Sequence, residues 1–153
     1  MQKRTMPRGN PPHSDVRDFL LPWSVVGLSV STNFLVSYHW RNRNRAKARV
    51  CVWNSERKVM RVAEALGTNA VEATAKAVLK ALKKSRSKMT KPLVHYSLQP
   101  NVLEMRWGAF VTVEFEKDEP VECGTVGHFP DPANAVAHAV VKVFNKYTAQ
   151  KGR

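Results

Sequence analysis

Residues 41–53 read RNRNRAKARVCVW. Every second residue from Arg41 to Arg49 is a cation, and the residues between them are asparagine or alanine. A period of two is that of a β-strand, whose side chains point to opposite faces in turn. Arg41, Arg43, Arg45, Lys47 and Arg49 then share one face, with Cys51 and Trp53 further along it. Ala46, Ala48, Val50 and Val52 face the other way and can pack on a helix. A half-buried strand needs one polar face, but that need does not explain why its polar positions carry only cations. Like charges on neighbouring positions of one face repel, so the array costs stability until a polyanion neutralises it. Same-face residues lie about 6.6–6.8 Å apart along a strand, near the phosphate spacing of one nucleic-acid strand. Each phosphate so neutralised releases counterions, which drives binding and makes it salt-dependent.

The rest of the chain agrees with a polyanion partner. Its 153 residues carry a formal net charge of +13. The charge is lopsided: residues 1–91 hold 19 Lys or Arg against 5 Asp or Glu, and residues 92–153 hold 6 against 7. One half reads as a nucleic-acid binder, and the other has little electrostatic reason to touch one. A hydrophobic fraction of 43% is enough for a packed core. Cys51 and Cys123 are each alone in a strand-like segment, away from any Cys or His at metal-ligand spacing. They read as two thiols of an intracellular protein. The apolar stretch from Phe19 to Val36 is broken by Pro22 and several polar residues, so no membrane span is expected and no membrane partner.

Periodicity divides the chain. Residues 1–22 read as a basic, flexible N-terminal arm rich in proline. Four alternating segments follow, 24–31, 33–40, 46–53 and 58–63, with Asn42-Arg43-Asn44 as a hairpin tip. At residues 69–85 the apolar positions Val71, Ala75, Val78, Leu79 and Leu82 switch to helical spacing. Asn69 or Thr68 caps this helix, and Glu72 forms part of a capping box. Strands are expected again at 93–98, 101–107, 110–116 and 121–129, with turns at Gln99-Pro100, Gly108 and 117–120. A second helix spans 132–147, with Asp131 as cap and Pro132 in its first turn. The two helices align at an offset of 62 residues, matching among others Ala73, Ala77 and Lys80 with Ala135, Ala139 and Lys142.

The expected fold class is therefore α+β, with two tandem units, each an antiparallel sheet followed by one amphipathic helix packed on it. The basic unit covers 23–91, the near-neutral unit 92–148, and 149–153 form a basic tail. Lys76, Lys80, Lys83 and Lys84 on the first helix would add a second wall to a groove whose first wall is the cationic strand. Trp53 shares the cations' face and can stack on a base or a ribose.

No catalytic arrangement is evident. There is no phosphate-cradling Gly loop and no nucleophile elbow, and the histidines are scattered. Carboxylates gather at Glu114, Glu116, Asp118, Glu119 and Glu122, where a hairpin with an acidic surface is expected. The reading is thus of a protein that is not an enzyme and takes no cofactor or metal.

The first helix carries a family likeness. Gly67 precedes a cap, and small residues recur at Ala73, Ala77 and Ala81 before Leu82, echoed by Asp131, Ala135, Ala139, Val143 and Phe144. This resembles the last helix of the double-stranded-RNA-binding domain, whose small residues let the helix sit closely on a three-stranded sheet. That family reaches phosphates with lysines at the helix start. Here Ala70, Val71 and Thr74, and in the second half Pro132, Ala133 and Val136, stand at those positions. The resemblance then implies an RNA-binding fold whose usual contacts are either lost or moved to the basic hairpin. In outline, strands followed by a helix are also similar to the Whirly and PUR-repeat single-strand binders.

Together these readings describe a nucleic-acid-binding protein, with RNA preferred over DNA, that contacts phosphates largely without regard to sequence. The near-neutral half is left to pair with a second copy or a protein partner. Two other readings fit the same features: a structural subunit of a ribonucleoprotein, ribosomal or viral, and a metal-dependent nuclease built on the acidic hairpin.

Overall fold

The computed structural model describes residues 22–38, 41–83, 93–116 and 118–151. All of the expected N-terminal arm except Pro22 lies outside them. Strands β1 (Trp23–Tyr38), β2 (Arg41–Asn54) and β3 (Val59–Gly67) precede helix α1 (Ala70–Lys83). Strands β4 (Leu93–Asn101), β5 (Arg106–Glu116) and β6 (Glu119–Gly124) precede helix α2 (Pro132–Lys151). Each set of strands forms an antiparallel three-stranded sheet in chain order, β1-β2-β3 and β4-β5-β6.

The expected division into two units, each a sheet with a helix of its own, does not hold. Strand outweighs helix, and the helices are not confined to one sheet each. They pack on each other, and α2 lies against β1 as well as against β5 and β6. Buried residues from both sheets and both helices form a single core. The reason lies in the helices' composition. In α1, Ala73, Ala75, Ala77, Val78, Leu79, Ala81 and Leu82 are all buried, an apolar surface wider than one sheet can cover. In α2, Ala135, Val136, Ala139, Val140, Val143 and Phe144 are likewise fully buried. The many alanines let neighbouring backbones approach closely.

Local corrections follow the same physics. The expected segments 24–31 and 33–40 are one long strand, β1, which absorbs irregularities between Val25 and Gly27 and between Ser31 and Phe34. Asn42, Arg43 and Asn44 are not a hairpin tip. They pair with Ser37, Val36 and Leu35 inside the β1–β2 ladder. Gln99 and Pro100 continue β4, an edge strand where a missing N–H is tolerated. The turn falls instead at 102–105, where Met105 takes a left-handed φ of 54°. Gly108 is no turn either. A Cβ there would come within 2.7 Å of the Thr125 carbonyl oxygen, so glycine is needed for the close approach. The expected basic tail over 149–153 is helical as far as Lys151.

Both helix starts are capped as expected. Asn69 Oδ1 accepts the Glu72 N–H at 2.9 Å, and Asp131 Oδ1 accepts the Asn134 N–H at 2.8 Å. The Glu72 carboxylate in turn accepts the Thr68 N–H at 3.0 Å and the Thr68 hydroxyl at 3.2 Å. The Thr68 backbone bond, helped by Lys76, holds this carboxyl below its ordinary value against the opposing effect of burial.

One buried polar group ties the ends of the fold together. Asn145, on α2, accepts the Trp23 N–H at 3.1 Å and donates to the Trp23 carbonyl at 2.9 Å, across 122 residues. The Trp23 ring meets Phe144 edge-on, 6.4 Å between centroids. Replacing Asn145 by Leu leaves two buried backbone groups without partners, and should lower unfolding free energy by about 3 kcal/mol in a urea titration. The Glu72 bonds predict a pH effect. Because its folded pKa is depressed, its contribution is present above the usual glutamate range and is lost as pH falls through the lowered value. Glu72→Gln should therefore flatten the acid limb of a stability–pH profile, measured by thermal melting.

Candidate nucleic-acid interface

The inward face of the first sheet is set by β2. Ala46, Ala48, Val50 and Val52 are buried and β2 packs on α1, so the odd-numbered residues must face away from the helix. The register then places four rungs across the outward face, because directly opposed residues in an antiparallel pair share a face. Lys47 stands between Ser31 and Leu66, and Arg49 between Ser29 and Glu64. Cys51 stands between Gly27 and Val62, and Trp53 between Ser24 and Met60. No described element packs over these rungs.

The row of cations continues beyond the sheet. The last β2–β3 pair is Ala46 with Gly67, but β1 and β2 go on pairing from Phe34–Arg45 through Val36–Arg43 to Tyr38–Arg41. This two-stranded ribbon reaches about 15 Å past β3. Arg41 and Arg43 are placed in it by backbone register; their side chains, and that of Lys83, lie outside the described residues, as does Lys84 altogether.

Part of the charge is met within the protein. Glu64 reaches Lys47 Nζ at 3.4 Å and Arg49 Nη1 at 3.6 Å, so one carboxylate sits between two cations. These are exposed pairs and contribute little to stability. They leave the trio with one net positive charge.

Lys76 and Lys80 do not share the face of the strand cations. α1 packs on the inward face of the sheet, and the cations stand on the outward face. Lys76 pairs with Glu72 at 3.3 Å, an i,i+4 contact on the helix itself. Lys80 donates to the Glu64 carbonyl of edge strand β3 at 3.2 Å. Lys146 does the same to the Glu122 carbonyl of edge strand β6 at 3.1 Å. The two lysines blunt the open edges of the two sheets, where exposed strand groups would otherwise invite pairing with another chain.

The sequence reading missed the apolar part of the outward face. Val26, Met60 and Val62 are exposed beside Trp53, which is half-buried. The available signal was the alternation of β3, where Met60 and Val62 stand out of phase with the buried Ala63.

The second sheet differs. Register sets Thr112 against Glu122 and Glu114 against Pro120, so its outward face carries acid where the first carries base. Glu116 accepts the Tyr147 hydroxyl at 2.9 Å. Among the described residues, no three His, Cys, Asp or Glu side chains stand close enough together to hold a metal ion. No described helix is long and apolar enough to cross a membrane. Cys51 and Cys123 are both free thiols. A scan against protein-family models found no match, and a search of curated proteins found none either.

The arrangement predicts which cations meet an external polyanion. On a heparin column, Lys47→Ala and Arg49→Ala should each elute at clearly lower salt. Lys76→Ala should elute where the parent does, since its helix packs on the opposite face of the sheet.

Proposed function

We propose that the protein binds nucleic acid, RNA by preference, through phosphate contacts along the outward face of β2 and its ribbon. The observation that carries the reading is the single-face row Arg45, Lys47 and Arg49, with Arg41 and Arg43 following in register and Trp53 at its other end. A row spaced like phosphates, on an open face, in a chain of charge +13, favours a linear polyanion over a compact anion. The preference for RNA rests on the resemblance of α1 to the last helix of the double-stranded-RNA-binding domain. Lys76 and Lys80 lie outside this row, on a helix that packs on the inward face of the sheet.

A ribonucleoprotein subunit is the second reading, and one feature favours it. The β4–β5 turn presents Val102, Leu103 and Met105 to solvent, on the half of the molecule with no excess positive charge. An apolar tip on that half suits contact with a neighbouring protein while the basic face holds RNA.

Filter binding across a salt series tests the first reading. The double variant Lys47→Ala/Arg49→Ala should bind more weakly, and its log–log salt slope should be shallower by about 1.4–1.8. An unchanged slope would place the phosphate contacts elsewhere. Glu64→Gln should move affinity in the opposite direction, since it releases both cations from their shared carboxylate.

A further inference from the structure

The outward face of the first sheet is not uniformly basic. Along β2 it divides into two bands. The rungs of Lys47 and Arg49 form a cationic band, and the next two rungs, Cys51 and Trp53, form an apolar one. The apolar band crosses all three strands. Val26, at the β1 irregularity, is 54% exposed; Val62 is 37% exposed and Met60 57%. On β1 the residues directly opposite Trp53, Cys51, Arg49 and Lys47 are small, Ser24, Gly27, Ser29 and Ser31, so Val26 is the large side chain that this strand adds to the apolar band.

A duplex cannot use such a surface well. It presents phosphates and groove edges outward and keeps the faces of its bases stacked inside. Seated on the Lys47–Arg49 band it would offer Val26, Trp53, Met60 and Val62 no base face to pack against. A single strand offers both chemistries at once, because its phosphates and its flat apolar base faces are separately available. The bands are adjacent rungs, about 6.6–6.8 Å apart along the strand, which is within the reach of a base from its own phosphate. Three strands at about 4.8 Å spacing give the apolar band a breadth near 10 Å, room for two bases side by side.

We propose that this face takes single-stranded rather than double-stranded nucleic acid, with phosphates on Lys47 and Arg49 and two bases laid on Trp53, Met60 and Val26. The proposal rests on the nucleic-acid reading above and names which form of nucleic acid that face selects.

Fluorescence anisotropy with three probes tests it: an unstructured 12-nucleotide oligouridylate, the matching oligothymidylate, and a 12-base-pair RNA duplex. Both single strands should bind at least tenfold more tightly than the duplex. Trp53→Ala should cost the single strands about tenfold and leave the weak duplex binding unchanged. Trp53→Phe should restore most of the loss, and Met60→Ser, at an exposed site, should weaken single-strand binding without altering the melting curve. Lys47→Ala should weaken all three probes. Equal or tighter binding of the duplex would overturn the single-strand proposal while leaving the phosphate interface standing. So would a Trp53→Ala effect that is the same on every probe. Trp53 or Met60 variants that change sedimentation of the free protein, with affinity intact, would assign the band to a second copy of the chain instead. No binding of any probe at low salt would remove the interface itself, and the proposal with it.

Discussion

The structure depends on the two-sidedness of β2. Its even residues, Ala46 to Val52, must be buried against α1 for the first sheet to have a core at all. Once they are, alternation obliges Arg45, Lys47 and Arg49 to face outward together. A one-residue slip of register would send those cations into the core and the valines into water. The same constraint that folds the sheet therefore builds the basic row, and neither can be changed without the other.

The remainder of the molecule holds that sheet in place. A three-stranded sheet with a single helix buries little, and α1 is apolar around too much of its circumference to be satisfied by it. α2 and the second sheet cover what is left. The Asn145–Trp23 bonds join the start of the first sheet to the last helix. Phe115, Phe144 and Tyr147 continue the packing, with Phe115 and Tyr147 stacked at 4.6 Å between centroids. The halves differ in what they show to water. The first sheet is basic and partly apolar outside, the second acidic, and Lys80 and Lys146 close their edges in the same way.

Much of this was legible in the residues. The change from a period of two to helical spacing placed both helices, and Asn69, Asp131 and Pro132 marked where they begin. The faces of β2 followed from alternation alone. What was hidden depended on partners distant in sequence. Asn42-Arg43-Asn44 carries turn chemistry, yet pairing with the long β1 keeps it in a strand. Gly108 signals a turn until the Thr125 carbonyl beneath it is known. Lys76 and Lys80 share a charge with the strand, but only the packing of α1 shows that they stand on the other face of the sheet or at its edge. The apolar band went unread because Val26, Cys51, Trp53, Met60 and Val62 come from three strands and meet only through register.

The basic row has its proposed role only if the outward face of the first sheet is the surface that meets nucleic acid. Photocrosslinking to an oligonucleotide containing 4-thiouridine, with the adducts located by mass spectrometry, reads that surface directly. Adducts should fall on residues 45–53 of β2 and on the outward positions of β3, Met60 to Leu66. Adducts concentrated on α1 around Lys76 and Lys80, or on the second sheet, would contradict it.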